Sequence, residues 1–404
     1  MVPRSSSHRL RRISPAVARA ENKVIDMNAS TKPLKVVVIG GGIFGVSTSV
    51  HLARLGVRTV LINDGPLANG ASGRSLAWLN SARKRADAYH RLRLAGIDRY
   101  RTLAARYPNA PWLRFDGGLT WDADDGSNEI AEIFDYERDL GYHAQWLAPA
   151  RIAATTPGVD ASAVTPQGAI FNPGEGWVDL PSLIGTLTEE FRTLGGEIVT
   201  DAGRATVDIE GGRARGVITA DGMRRDADAV LLAAGGDVPA IVAEVGQHIG
   251  DATPVALLVR TKAIRHPLKA VLNTPRIAIR PTPRGGFALD SAWSEEEVSV
   301  KPDGSYEVRQ STLEGLLREA SRVLEGNPQL EIEDYGVGPK PIPGDGEPVF
   351  GELPSIPGYF VAFSHSGATL GLIAGELLAD EIITGRRHPL LADFRPERFS
   401  ASRR

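Results

Sequence analysis

Residues 36–39, VVVI, are β-branched and wholly apolar, the pattern of a parallel strand covered on both faces. A helix is expected over about residues 43–55, Gly56 ends it, and a second apolar run at 59–62 reads as another strand. The pattern then breaks. Residues 65–80, GPLANGASGRSLAWLN, are small and polar. Helical spacing returns at 86–106, with Leu94, Ile97, Tyr100 and Ala104 on one stripe, and again at 127–140 with Ser127 as its N-cap. Short strands fill 195–236, with turns at Gly211-Gly212 and Asp221-Gly222, and close on a buried strand at 229–233. A strand-rich block spans 254–300 and a helix 311–324. The stretch GYFVAFSHSG holds a strand, and a last helix covers 368–383. Strand–helix–strand at the start, with its partner strand expected near the far end, predicts an α/β chain of two interleaved domains rather than two beads.

Between the first strand and helix, Gly40, Gly42 and Gly45 match G-x-G-x-x-G. The first glycine permits a tight turn, the second lets a pyrophosphate approach the backbone, and the third lets helix press on strand. The helix directs free N–H groups and the positive end of its dipole at that phosphate. Glycine is common here, at 44 of 404 residues, so the letters alone mean little; their place inside a βαβ unit makes this a dinucleotide turn.

Composition narrows the chemistry. The net charge of −3 offers no broad attraction to nucleic acid, and no apolar run of about eighteen residues is present to span a membrane. The sequence has no cysteine, which removes disulfides, thiolate nucleophiles, Cys-ligated zinc and cysteine-linked flavin. A cytoplasmic enzyme is the simplest fit. No clustered His/Asp/Glu set suggests a metal. Residues 1–33 open arginine-rich and acid-free, and read as a disordered extension, a presequence, or an upstream start with Met27 as the working one.

Five motifs in order resemble the D-amino-acid oxidase superfamily of flavoproteins, which includes glycine oxidase, sarcosine oxidase and D-amino-acid dehydrogenase. They are VVVIGGGIFG, GASGRSLAWLN, GWVDLPSLIGTLTEEFRTLGGEI, ADAVLLAAGG, and the closing GPKPIPGDGEPVFG with GYFVAFSHSGATLGLIAGELLADEIITG. The match covers about residues 34–386 and is weak over 245–330. The resemblance implies a Rossmann-like FAD-binding domain (34–85, 150–250 and 335–390) interleaved with a sheet-containing α+β substrate domain (86–149 and 251–334), and a C-terminal tail (391–404). It implies FAD, held non-covalently, by Gly40, Gly42, Ile43, Phe44, Gly45, Asn63, Asp64, Ser72, Gly73, Arg74, Ser75, Val207, Ala234, Gly235, Gly367, Ala368, Thr369 and Leu370. Two positions depart from the family pattern. Asn63 stands where an acid usually meets the adenosine ribose, so ribose binding is expected of Asn63 or of Asp64 one residue on. Lys340 stands where the family often has arginine before proline, which keeps the charge but loses the two-pronged fork.

The resemblance also implies oxidation of a C–N bond in an amino acid or secondary amine by hydride transfer to flavin N5, giving an imine that hydrolyses. Oxygen or another electron acceptor completes the reaction. The helix opening at Gly367 is expected to face the flavin's pyrimidine oxygen. His365 is a candidate to orient substrate or tune amine protonation, since histidine titrates near neutral pH. A substrate carboxylate would want a cation: Lys340, or Arg276 and Arg280, which alternate onto one face of a strand in RIAIRP. The competing readings are an FAD-dependent hydroxylase, a protein that keeps FAD as a structural part, and an oxidase of simple amines.

Overall fold

The computed structural model describes residues 33–403. The disordered extension expected over 1–33 falls, Pro33 apart, outside the described residues. The first strand, Lys35–Ile39, is central in a six-stranded sheet. Arg58–Ile62 and then Glu197–Val199 follow on one side, and Ala229–Leu232, Tyr359–Phe363 and Val349–Glu352 on the other. All neighbours are parallel except the last pair. Strands from both ends of the chain therefore share one sheet, as the strand pattern predicts. Val36 and Val38 face a core built with the helices, and Val37 and Ile39 a core built with the meander Thr206–Asp226. Coverage of both faces explains the unbroken apolar run.

An eight-stranded sheet runs, in order, Ile332–Pro339, Val255–Thr261, Phe287–Asp290, Ala278–Pro281, Val271–Asn273, Gly118–Thr120, Ala169–Asn172 and Gln145–Leu147. One face packs on the helix Gln310–Val323 through Leu313, Leu316 and Ala320. Ala169–Asn172, from the stretch 150–250, pairs within this sheet. Among the described residues no helix is long and apolar enough to cross a membrane.

Three close approaches bring the parts of the site together. A Cβ on Gly45 would stand 1.9 Å from the Gly40 carbonyl oxygen, so helix Ile43–Arg54 lies directly on the turn that precedes it. On the last long helix, Gly367–Thr384, Gly371 and Gly375 share a face and meet Ile43 and Ser47; added Cβ atoms would come within 2.3 and 2.2 Å. Gly96, on helix Asp87–Arg106, would bring a Cβ within 2.2 Å of the Thr369 carbonyl oxygen. Tyr100 on the same helix is fully buried and donates to the Ala368 carbonyl at 2.6 Å.

Some local expectations fail for tertiary reasons. Leu94 is 37% exposed, because the packed face of Asp87–Arg106 instead runs Tyr89, Leu92, Arg93, Gly96, Ile97, Tyr100 and Leu103. Ser127 donates to Asp125 rather than capping a helix, and that helix starts at Ile130. Near the C-terminus, Leu391 and Phe394 are buried, and Arg395 forms a two-pronged pair with Glu381 at 2.6 and 2.7 Å.

Gly45→Ala should lower stability by roughly 1–3 kcal/mol, because the contact it makes is backbone and must move. The urea midpoint of the purified protein reads this directly.

Candidate active site

A cavity of about 650 Å³ opens where the parallel strands end and the first helix begins. Gly40, Gly42, Ile43 and Phe44 form one wall. Gly40 has φ +116°, which an L side chain rarely adopts, and a Cβ there would strike Ala233. Gly42 precedes the first helical residue, and a Cβ there would meet only the Ser72 Oγ, at 3.2 Å. The Ile43 N–H donates to Ser72 Oγ at 3.0 Å, so Ser72 lies at the helix start. Neither this helix nor Gly367–Thr384 has an acid in its first turn, so both positive ends reach the cavity uncompensated. Ala234, Gly235, Gly367 and Ala368 complete the group that sequence reasoning brought here.

Asn63 and Asp64 line one end. The Asn63 Oδ1 accepts from the Gly41 N–H at 2.7 Å, and its Nδ2 donates to the carbonyls of Gly65 and Pro66, each at 2.9 Å. A carboxylate could not make the last two bonds. Asparagine thus ties the glycine turn to the following loop. Both amide donors are spent on the protein. Asp64 is exposed, its Oδ1 accepting from the Gly65 N–H at 2.8 Å.

A second cavity of about 250 Å³ adjoins the first, and His365, Arg74, Ser75 and Ala368 line both. Gly336 and Gly338 leave the slot in which Arg74 lies; a Cβ on Gly338 would come within 2.4 Å of the guanidinium. The His365 ring is open to the cavities yet enclosed by protein. Burial, with the charges of Lys340, Arg93 and Arg85, pushes its pKa down to about 4. The expected titration near neutrality is therefore corrected: the ring is neutral at physiological pH.

Lys340 lines the second cavity, but its Nζ meets both carboxylate oxygens of Glu295, at 2.5 and 2.6 Å. Arg276 and Arg280 are not brought to it. Arg276 is exposed, lying over Trp293, with Glu319 at 3.8 Å. Arg280 is buried, stacked on Trp177, with Asp179 at 3.6 Å. Thr369 lines the second cavity and donates to the Trp78 carbonyl. Four other candidates lie off both cavities. Leu370 is in the helix core, Val207 in the meander core, Gly45 against the turn, and Gly73 against the Ala68 carbonyl. Gly203 and Ala205 reach the cavity in place of Val207.

Sequence reasoning missed Arg85, Arg93, Asn80, Asp290 and Glu295, all on the second cavity. Arg93 is 3% exposed and bonds only neutral groups: the Asn80 carbonyl at 2.8 Å, Asn80 Oδ1 at 2.9 Å, Tyr89 Oη and Ser366 Oγ. Arg85 stands 5.8 Å from the Tyr89 ring centroid, and its Nε is buried without a partner among the described residues. The available signal was an arginine four residues from both Tyr89 and Ile97, inside the packed face of its helix.

Residues 35–381 match the DAO family, described as FAD dependent oxidoreductase. The chain belongs to this family. Mouse sarcosine dehydrogenase, described as mitochondrial, is 25% identical over 398 residues, covering 91% of this chain; the chain spans only 41% of that relative. Glycine oxidase of Bacillus licheniformis is 22% identical over 363 residues, covering 87% of this chain and 94% of its own. The solved L-amino acid deaminase of Proteus myxofaciens superposes with a TM-score of 0.78 at 18% identity, covering 92% of this chain and 94% of that one, a likeness of fold.

The DAO family depends on FAD, and the larger cavity fits it. Its glycine turn brings backbone N–H donors to the wall, two uncompensated helix starts face it, and a side chain at Gly42 would enter it.

Gly42→Val should fold yet purify without flavin, because the added side chain meets almost no protein but occupies the cavity; flavin absorbance per mole of protein checks this. The kcat/KM profile of His365→Gln should keep the wild-type shape between pH 5 and 8. That ring takes its proton only near pH 4, so it contributes no ionisation in that window.

Proposed function

We propose that the protein oxidises the C–N bond of an amino acid or N-alkyl amino acid, giving an imine that water hydrolyses. FAD, held non-covalently in the larger cavity, supplies the hydride acceptor for this chemistry. Oxygen or another electron acceptor completes the turnover. The cytoplasmic location suggested by the cysteine-free composition is part of this reading.

The observation that carries the proposal is a pair of guanidiniums that form no ion pair among the described residues. Arg85 and Arg93 line the smaller cavity, and His365, on both cavities, marks where substrate and cofactor would meet. A buried cation with only neutral partners is costly, and a bound carboxylate compensates it. Arg74 also has no carboxylate partner among the described residues, but it lies in the slot left by Gly336 and Gly338 and donates to the Asn69 carbonyl. Lys340 is taken by Glu295 and Arg280 faces Asp179, so the anchor proposed here is Arg85 with Arg93.

The chain's own residues then have defined tasks. Arg85 and Arg93 hold the carboxylate, which fixes the adjacent carbon. Asn80 and Ser366 hold Arg93 in place. Beside the arginines, the positive field of Arg74, Arg85 and Arg93 disfavours an ammonium, so an amine next to the bound carboxylate is held unprotonated, as loss of hydride requires. Neutral His365 offers a hydrogen bond without adding charge. The helix start at Gly367 lies where it would favour negative charge gathered on the flavin ring.

Replacing Arg85 with Ala should weaken the transition state for an amino acid by roughly 2–5 kcal/mol, as when a desolvated ion pair loses one partner. The corresponding amino amide should lose far less. The acid-to-amide ratio of kcat/KM, measured in wild type and variant, tests this. An unchanged ratio would place the carboxylate elsewhere and favour a simple amine as substrate.

A further inference from the structure

The lining of the smaller cavity carries charge of both signs in two groups, Arg85 with Arg93 and Asp290 with Glu295 and Lys340. Along Phe287–Asp290, Phe287 and Leu289 enter the core under the eight-stranded sheet; the alternation turns Asp290 to the opposite face, where it lines the cavity. The Asp290 carboxylate has no hydrogen-bond partner among the described residues. The charges acting on it are those of Lys340 and Glu295. These two neutralise each other, with the Lys340 Nζ held between both Glu295 oxygens, so Asp290 leaves this group with one unmatched negative charge. His365 lines the same cavity and feels Lys340 as well as Arg93 and Arg85.

Among the described residues neither the two arginines nor Asp290 forms an ion pair, although Glu347 and Glu175 act on Arg85 from beyond ion-pair distance. An unpaired desolvated carboxylate is costly, as an unpaired guanidinium is; Asp290 is half-buried, and desolvation pushes its pKa up to about 6. An amino acid with an uncharged side chain satisfies the arginines through its carboxylate and leaves Asp290 bare. One with a cationic side chain satisfies both.

On the reading that the cavity holds an amino acid by its carboxylate, we propose that the preferred substrate carries a second cationic group on its side chain, an ammonium or a guanidinium, and that Asp290 is its anchor. Lys340 does not repel that group, because Glu295 cancels its charge. Glu295 thereby acts as a positioning residue, freeing Asp290 to meet the ligand.

The experiment compares lysine with norleucine, its uncharged analogue of similar length, in both hands, as reductants of the flavin in the purified holoprotein. Wild type should favour lysine by roughly tenfold or more in kcat/KM, the scale of a matched desolvated charge. In Asp290→Asn the lysine-to-norleucine ratio should fall towards one. A wild type that turns over norleucine as well as lysine overturns the inference and leaves the amino-acid reading standing. So does a ratio that Asp290→Asn does not change, because Asp290 would then serve the amino group common to both. Should neither compound, in either hand, reduce the flavin, the inference fails, and the amino-acid reading stands or falls separately on whether any other amino acid or N-alkyl amino acid reduces it. The wild-type comparison needs no variant, so it decides the matter even where Asp290→Asn loses its flavin.

Discussion

The site depends on two helices packed almost backbone to backbone. Gly371 and Gly375 on one helix lie against Ile43 and Ser47 on the other, with no room for a further side chain. Gly45 presses the same first helix onto its own entry turn. These contacts set the starts of Ile43–Arg54 and Gly367–Thr384 side by side on one cavity. One start adjoins the dinucleotide turn, and the other lies beyond His365. A longer side chain at Gly371 or Gly375 would force the helices apart, and one at Gly45 would push the first helix off its turn.

Around this frame the protein sorts its charges into spent and unspent. Lys340 and Arg280 were reasonable anchors by residue type, and each faces an internal carboxylate. Arg85 and Arg93 share the Tyr89 ring, at 5.8 and 5.3 Å, and among the described residues hydrogen-bond only neutral groups or none. Desolvated charge is costly unless matched, so the unmatched groups are the ones a ligand would complete. His365, open to both cavities and neutral, lies where the chambers join.

Much of the fold was legible because it is written in local patterns. The apolar run at 36–39, the three glycines and the closing strand–helix module each carry their meaning within a few residues, and the structure joins them in one sheet. Asn63 was legible as a departure but not as a solution, since its partners at Gly41, Gly65 and Pro66 appear only once the loop is folded. The substrate cavity was the least legible part. Alternation put Arg276 and Arg280 on one strand face, but a face does not reveal which charges are already paired. That pairing is set by Asp179, Glu319 and Glu295, each far away in sequence from the cation it meets. Arg93 was hidden for the opposite reason: a charge inside an apolar helix face reads as an interruption until the chamber beside it is seen.

The central claim is that the larger cavity holds FAD and the smaller one the compound that reduces it. The most direct test is an anaerobic titration of the purified, flavin-loaded protein with a panel of amino acids and simple amines, followed by flavin absorbance with no nicotinamide present. The account predicts that amino acids bleach the flavin and that their amides do so poorly. Bleaching only on addition of a reduced nicotinamide, or by no amine at all, would contradict it.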